Sequence, residues 1–434
     1  MIRSVWNDTV KLPSFGRLEQ DKKTDVLILG GGLAGVLCAY MLEQSGVDYL
    51  LIEADRICNG VTGNTTAKIT AQHGLIYDKL IREFGPEQAR LYWEANEAAL
   101  GQYRRLSENI ACDLETKDSY VYSVDRREKL EQECRALERI GVPAQLVEKV
   151  PLPFSVAGAV RIKDQAQFNP LKLVAGLAGG LKICEQTTAR SFDGRSIQTD
   201  HGRITAKKIV VATHFPIFNK HGGYFLKMYQ HRSYVLGLER APDVDGMYVD
   251  ERKTGLSFRN YGDLLLLGGG AHRTGRQGGG WEELTRFARD HFPEAREKYR
   301  WAAQDCMTLD GMAYIGRYAK GTADLYVATG FNKWGITTSM VAACVLCDLV
   351  QGKENRYAAL FSPSRTMLRP QLAANAFSAT VGLLTPTTRR CPHMGCALKW
   401  NPQEHSWDCS CHGSRFTEEG KLLDNPATGD WKHD

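Results

Sequence analysis

Two short stretches of this 434-residue chain carry residue types whose spacing can do chemistry. The first is Gly30-x-Gly32-x-x-Gly35, with an acid, Glu53, at the end of the next apolar run. Gly30 permits a tight turn, Gly32 lets backbone approach a pyrophosphate, and Gly35 lets a helix pack closely on the preceding strand. The helix N-terminus offers unpaired N–H groups to the diphosphate. Glu53 can accept hydrogen bonds from ribose hydroxyls, and its charge repels a 2′-phosphate, which disfavours NADP. The second stretch is Cys391-Pro392-His393-Met394-Gly395-Cys396 followed by Cys409-Ser410-Cys411-His412-Gly413-Ser414. Three readings of it compete. They are a zinc site of two cysteines and two histidines, a module held only by disulfides, and a [2Fe–2S] centre with two cysteines on one iron and two histidines on the other.

The elements around the glycines suit a dinucleotide. Val26-Leu27-Ile28-Leu29 reads as a strand that stops at Gly30. Apolar residues Leu33, Val36, Leu37, Tyr40 and Leu42 follow at helical spacing, and Tyr49-Leu50-Leu51-Ile52 is a second strand. This strand–helix–strand order builds a parallel sheet. Beyond it, 75–148 is mostly helical with a strand at 120–122, and 191–212 alternates strand, turn and strand. The block 247–268 mixes strands, 281–300 reads as helix, and 324–328 as strand. A helix is expected over 335–350, and a connection runs from Ser362 to Thr388. The strands ending in Ala212-Thr213 and Ala328-Thr329-Gly330 favour FAD, because a helix opening at Gly335 could stabilise negative charge on a reduced flavin ring.

Composition excludes several classes. Lys and Arg number 55 against 50 Asp and Glu, so charge gives no nucleic-acid reading. No apolar run is long enough to span a bilayer, and the first residues carry no apolar signal core. A cytoplasmic protein is expected. Of 12 cysteines, those outside the C-terminal cluster are scattered. Cys344-x-x-Cys347 has redox spacing, but its apolar helical surroundings favour buried thiols.

Residues 4–361 resemble the D-amino-acid oxidase/glycine oxidase-type (DadA-like) FAD oxidoreductases. The resemblance rests on Gly30 to Gly35, Glu53, Arg56 to Thr66, Ala212-Thr213, Asp310-Gly311 to Ile315-Gly316, and Ala328 to Gly335. It implies an α/β fold for residues 1–365, with a Rossmann-type FAD-binding domain (about 20–75, 155–215 and 310–365). A substrate domain of α+β type (about 75–155 and 215–310) is interleaved with it. It also implies FAD contacts from Gly30, Gly32, Ala34, Gly35, Glu53, Arg56, Thr62, Thr65, Thr66, Ala212, Thr213, Gly330, Gly335, Ile336 and Thr337. Members mostly oxidise a C–N bond by hydride transfer to flavin. Amino-acid oxidases place an arginine for the substrate carboxylate where this chain has Asp305, so a cationic or non-carboxylate amine is expected. His272, Arg273, Lys333 and Trp334 are further catalytic candidates; His272 and Arg273 also read as ordinary loop residues, and Lys333-Trp334, just before the helix at Gly335, is better placed to reach the flavin.

In the C-terminal boxes each loop gives one cysteine and one histidine and carries a further cysteine, which a zinc ribbon does not need. The boxes resemble those of respiratory Rieske proteins. The resemblance implies Cys391 and Cys409 on one iron, His393 and His412 on the other, and a disulfide between Cys396 and Cys411. Ser414 would donate to a sulfide, and Phe416 stands where respiratory proteins carry a tyrosine. The implied small all-β module spans 389–434 after a linker at 366–388. It is shortened, lacking the strands that precede the first box. Either the flavin domain supports the cluster loops or the cluster is labile. The whole arrangement resembles bacterial fusions of a DadA-like oxidoreductase with a Rieske module. The function expected is FAD-dependent oxidation of an amine-type substrate, with electrons leaving through the cluster to an external acceptor. The alternative is a redox-responsive protein without turnover. An NADH-dependent reductase would need a second nucleotide fingerprint, which the sequence lacks.

Overall fold

The computed structural model describes residues 2–431, so Met1 and the last three residues of the expected C-terminal module lie outside it. Lys22–Leu29 is the centre of an eight-stranded sheet. It pairs in parallel with Tyr49–Ile52 on one side and Arg203–Val211 on the other. Leu325–Thr329 continues the parallel order, and Tyr314–Arg317 closes that edge antiparallel. Parallel neighbours require crossover connections, and the helix Leu33–Gln44 supplies the first. It packs against the long apolar helix Gly335–Val350. Leu27 and Ile28 are fully buried, as expected for a sheet covered on both faces.

The glycines have different jobs. Gly30 has φ +106°, a region that disfavours side chains. A Cβ on Gly35 would lie 1.9 Å from the Gly30 carbonyl oxygen, so this glycine serves helix–strand packing. A Cβ on Gly32 would meet only the Thr62 hydroxyl, at 3.6 Å, which leaves its surface free for a ligand.

A second sheet of nine strands lies beside the first. Its core is the antiparallel set Arg296–Thr308, Met228–Glu239, Leu264–Arg273 and Ser257–Tyr261. Met247–Asp250, Glu115–Ser123, Gly158–Gln167 and Lys68–Ile69 extend it. Three expectations change here. The stretch 281–300 is a helix only over Gly280–His291. Phe292-Pro293 ends it, because proline cannot continue a helix, and Arg296 onward pairs with Met228–Glu239. Gly158–Gln167, given to the nucleotide part from sequence, belongs to this second sheet. The segment expected as a linker contains a helix, Pro370–Leu384, whose Asn375, Ser378 and Gly382 are buried.

The C-terminal module is a four-stranded antiparallel sheet, Leu398–Asn401, Ser406–Cys409, Arg415–Phe416 and Leu422–Asp424. A buried charge network seats it on the second sheet. Arg232, from Met228–Glu239, forms a two-pronged pair with Glu404, its Nε donating to Oε1 at 2.8 Å. Arg415 donates to Glu404 at 2.9 Å, Asp408 at 3.0 Å and Asp424 at 2.9 Å. Burial alone would raise the Glu404 carboxyl, but Arg232 and Arg415 beside it bring it down to about 2.

Two predictions come from this packing. Glu404→Gln leaves two buried guanidiniums short of a charge and should destabilise the seated module by about 3 kcal/mol, read by denaturant unfolding. Because the folded pKa lies below the ordinary 4.5, this stabilisation is present above pH 4.5 and fades as pH falls towards 2. The variant should therefore lose that part of the parent's acid sensitivity. In the nucleotide part, Gly32→Ala should keep the fold but lose bound flavin, while Gly35→Ala should lose folded protein. Circular dichroism together with the flavin-to-protein absorbance ratio separates the two.

Candidate functional site

A cavity of about 1300 Å³ opens at the C-terminal ends of the parallel strands and runs against the second sheet. That is where ligands bind in open α/β sheets. Among the residues expected to hold flavin, Gly30, Gly32, Ala34, Glu53, Arg56, Thr62, Thr65 and Thr66 line its wall, as do Ala212, Thr213, Gly330, Gly335 and Ile336. Two do not. Gly35 lies behind the wall against Gly30, and Thr337 turns away, its hydroxyl donating to the Thr70 carbonyl at 3.0 Å. Glu53 accepts from the Gly31 N–H at 2.7 Å and the Asp55 N–H at 3.0 Å, which fixes its carboxylate at the glycine turn. Burial raises that carboxyl. Thr62 accepts from the Leu33 N–H at 3.0 Å, so its hydroxyl marks the first turn of the helix. A bare glycine surface, the positive end of the helix Leu33–Gln44 and an acid set for ribose make the cradle that FAD requires.

The wall away from the glycines is charged and aromatic. Asp305 lies on it, from Arg296–Thr308, paired in register with His231. Burial raises its carboxyl, and Lys333, the nearest opposing charge, lowers it only in part. Lys333 donates to the Lys253 carbonyl at 3.2 Å, and Trp334 precedes the helix Gly335–Val350. Asn332 and Lys333 have φ of +53° and +72°, a strained pair at the rim. His272 and Arg273 are corrections. The His272 ring engages the Tyr234 hydroxyl at 3.1 Å, and Arg273 donates to Asn375 at 3.0 Å and the Cys411 carbonyl at 3.1 Å. Neither lines the cavity: His272 is held within the second sheet, and Arg273 reaches the helix Pro370–Leu384 and the C-terminal module.

Sequence reasoning missed two wall residues. Lys68 is buried, and desolvation next to the Arg259 guanidinium lowers it to about 7. His73 stacks on Trp334 with ring centroids 4.9 Å apart, and its Nδ1 lies 2.6 Å from the Tyr92 hydroxyl. Burial holds it neutral, at about 3. The one signal for either was Thr66-Ala67-Lys68, a cation leading into apolar sequence directly after the flavin loop.

In the C-terminal module Cys396 and Cys411 form a disulfide. That removes both from any ligand set and leaves Cys391 and Cys409 as buried free thiols. These two hydrogen-bond to each other, which pulls Cys409 down to about 7 and pushes Cys391 up. The rings of His393 and His412 lie 4.9 Å apart, and each has a buried Nδ1 with no partner. Two thiols and two orphaned imidazole nitrogens form a donor set that the disulfide-only reading leaves unused. Ser414 and Phe416 are fully buried beside it, the Ser414 hydroxyl accepting from the Ala427 N–H at 3.0 Å.

The flavin-domain sheet provides the support that the shortened module lacks. Gln230 donates to the His412 and Asn425 carbonyls, both at 2.9 Å. Gln304 donates to the Gly413 carbonyl at 2.8 Å. Asn425 donates to the Thr213 carbonyl at 2.8 Å and the Phe215 carbonyl at 2.9 Å, beside the cavity wall. The ring of His393 reaches back to Asn219 at 2.8 Å.

Known proteins match both halves. The family profile for FAD-dependent oxidoreductases (DAO) fits residues 25–349, and that for the Rieske [2Fe–2S] domain fits residues 377–433. A Bacillus subtilis protein described as a Rieske 2Fe–2S iron–sulfur protein, YhfW, is 34% identical over 98% of this chain and 96% of its own length. Gamma-glutamylputrescine oxidoreductase of Escherichia coli is 23% identical over 84% of this chain and 94% of its own. Glycine oxidase from Geobacillus kaustophilus shares the fold, with a TM-score of 0.67 at 22% identity over 80% of this chain and all of that one. The Rieske profile begins inside the helix Pro370–Leu384, in the segment expected as a linker. The cofactors are FAD and a [2Fe–2S] cluster. The chain belongs to the DAO family of FAD-dependent oxidoreductases and carries a Rieske [2Fe–2S] domain at its C-terminal end.

Proposed function

We propose that this protein oxidises a C–N bond of a small cationic amine and delivers the electrons through its Rieske cluster to an external one-electron acceptor. Bound FAD would supply a hydride acceptor for the carbon beside the nitrogen, and a cluster held by Cys391, Cys409, His393 and His412 would supply one-electron chemistry. The observation that carries the reading is that His393 and Asn425 of the cluster module bond to the segment 212–219, whose first residues line the flavin cavity, while the loop bearing Cys409 and His412 rests on Gln230 and Gln304 of the adjoining sheet. The similarity to an oxidoreductase named for gamma-glutamylputrescine supports an amine.

The residues have separable tasks. Gly32 and the first turn at Leu33 hold the diphosphate, and Glu53 the ribose. Gly335 and Ile336 present helix-end N–H groups where negative charge gathers on the ring. Asp305 orients the substrate nitrogen, its carboxylate having no hydrogen-bonded partner among the described residues, while Trp334 and His73 bound the site. Cys391 and Cys409 hold one iron and His393 and His412 the other, with Ser414 donating to the sulfur. The eight free thiols outside the cluster ligands support a reducing, cytoplasmic setting. No helix among the described residues is long and apolar enough to cross a membrane.

Anaerobic mixing of the FAD-loaded protein with a panel of amines tests this. An amine should bleach the flavin, and bleaching by NADH but by no amine would overturn the reading. With the amine found, Asp305→Asn should raise KM roughly 10- to 100-fold and change kcat little, because it removes a charged hydrogen bond made to bound substrate. His412→Ala should abolish the [2Fe–2S] absorbance and EPR signal while FAD stays bound. Stoichiometric zinc without acid-labile sulfide in the parent protein would sink the ligand assignment.

A further inference from the structure

We propose that Asn219 is a positioning residue for the cluster, through which the flavin-pocket segment fixes the tautomer, orientation and electron-donating strength of the His393 ring. The inference rests on His393 being an iron ligand, as proposed above, and concerns a residue of the flavin domain that no part of the Rieske signature contains.

The geometry is specific. Asn219 is only 4% exposed, and its backbone is pinned because its carbonyl accepts from the Tyr224 N–H at 2.8 Å. Tyr224 is fixed in turn by its hydroxyl, which donates to the Tyr318 carbonyl at 2.6 Å. From this rigid corner the Asn219 amide oxygen lies 2.8 Å from His393 Nε2. An oxygen there can only accept, so Nε2 must carry the proton, and Nδ1 is left with a free lone pair. Nδ1 is the ring atom that is buried without a partner. The amide therefore selects the tautomer that can bind metal, and a hydrogen bond of this kind makes the ring a stronger donor.

The second histidine is held differently. His412 is 5% exposed, and its loop is fixed through the carbonyls of His412 and Gly413 by Gln230 and Gln304. Among the described residues only His393 has a hydrogen-bonding side chain of the flavin domain on its ring, whereas the His412 ring meets the Phe225 ring. Asn219 also closes a mechanical link. The segment that carries it starts at Ala212 and Thr213 on the cavity wall, and the module grips that same segment through Asn425. The rings of both histidines thus face the flavin domain, His412 against the Phe225 ring and His393 through the Asn219 amide.

The test reads the cluster directly, in purified full-length protein without substrate. Asn219→Leu fills the same space, excludes water and removes the acceptor. Asn219→Asp keeps the acceptor and adds charge. A weaker ring donor stabilises the reduced cluster, so the Leu variant should shift the midpoint potential upward. The Asp variant should shift it downward, each by about a tenfold change in the reduction equilibrium, about 59 mV for one electron. FAD content should match the parent in both. Loss of the cluster in the Leu variant with retention in the Asp variant would also support positioning, because the acceptor alone rescues. Unchanged potentials, shifts of the same sign, or loss of the cluster in both variants would overturn the proposal. Parent protein with no [2Fe–2S] spectrum would instead overturn the ligand assignment on which it rests.

Discussion

The pairing of Arg232 and Arg415 with Glu404 is the interaction on which the two-cofactor arrangement depends. Two guanidiniums and three carboxylates, Glu404, Asp408 and Asp424, meet at the boundary between the second sheet and the C-terminal module. Such a network is costly to desolvate and adds little stability over apolar packing of equal volume. Its value lies in register. An apolar patch tolerates several seatings, whereas four buried charges and the half-buried Asp424, with directional hydrogen bonds, are all satisfied in one. That single seating brings Gln230 and Gln304 under the second cluster loop and Asn219 onto the first.

The same interface explains how so short a module can hold its loops. A cluster loop exposes backbone carbonyls that need donors, and a free-standing domain meets them with strands of its own. Here side-chain amides of Met228–Glu239 and Arg296–Thr308 meet them. Gly413, with φ +92°, lets that loop approach closely, because a Cβ there would lie 2.6 Å from Gln230 Cβ. The helix Pro370–Leu384 closes the other side, and a Cβ on its Gly382 would lie 2.6 Å from the Cys411 sulfur. The disulfide and this helix form the back of the module, and the histidine rings form its inner face.

The cavity combines opposing charges without neutralising them. Asp305 faces Lys333 across it but makes no hydrogen bond with it, and Lys68 is held near 7 by burial beside Arg259. Groups left unpaired at a cavity wall are where function concentrates, because the protein bears a desolvation cost that a ligand can relieve. The positive φ at Asn332 and Lys333 adds strain at the same rim. Charge imbalance and strain together distinguish this wall from the glycine side, where Glu53 and Thr62 accept from the N–H groups of Gly31 and Leu33.

Both cofactor types were legible in the sequence because their signatures are local. Gly30 to Gly35 and the two Cys/His boxes each act through a few consecutive residues, so spacing alone carries the geometry. The strand–helix–strand unit and the helix Gly335–Val350 were legible for the same reason. The stretch after Pro293 was misread as helix because its side chains do not reveal a partner strand lying before it in the chain. The uncharged, small-residue helix Pro370–Leu384 has too weak a periodicity to separate it from a connection. His272 and Arg273 looked catalytic at a strand end, yet His272 is held by Tyr234 on the neighbouring strand and Arg273 by Asn375 and the Cys411 carbonyl, 102 and 138 positions away. Asn219 and His393 are separated by 174 positions, and no local pattern can join them. The sequence by itself determined which cofactors this protein takes, because cofactor motifs are contiguous backbone devices. Only the tertiary structure decided what supports the cluster and which groups face the substrate, because those contacts are long-range and exist only once the two sheets and the module have packed.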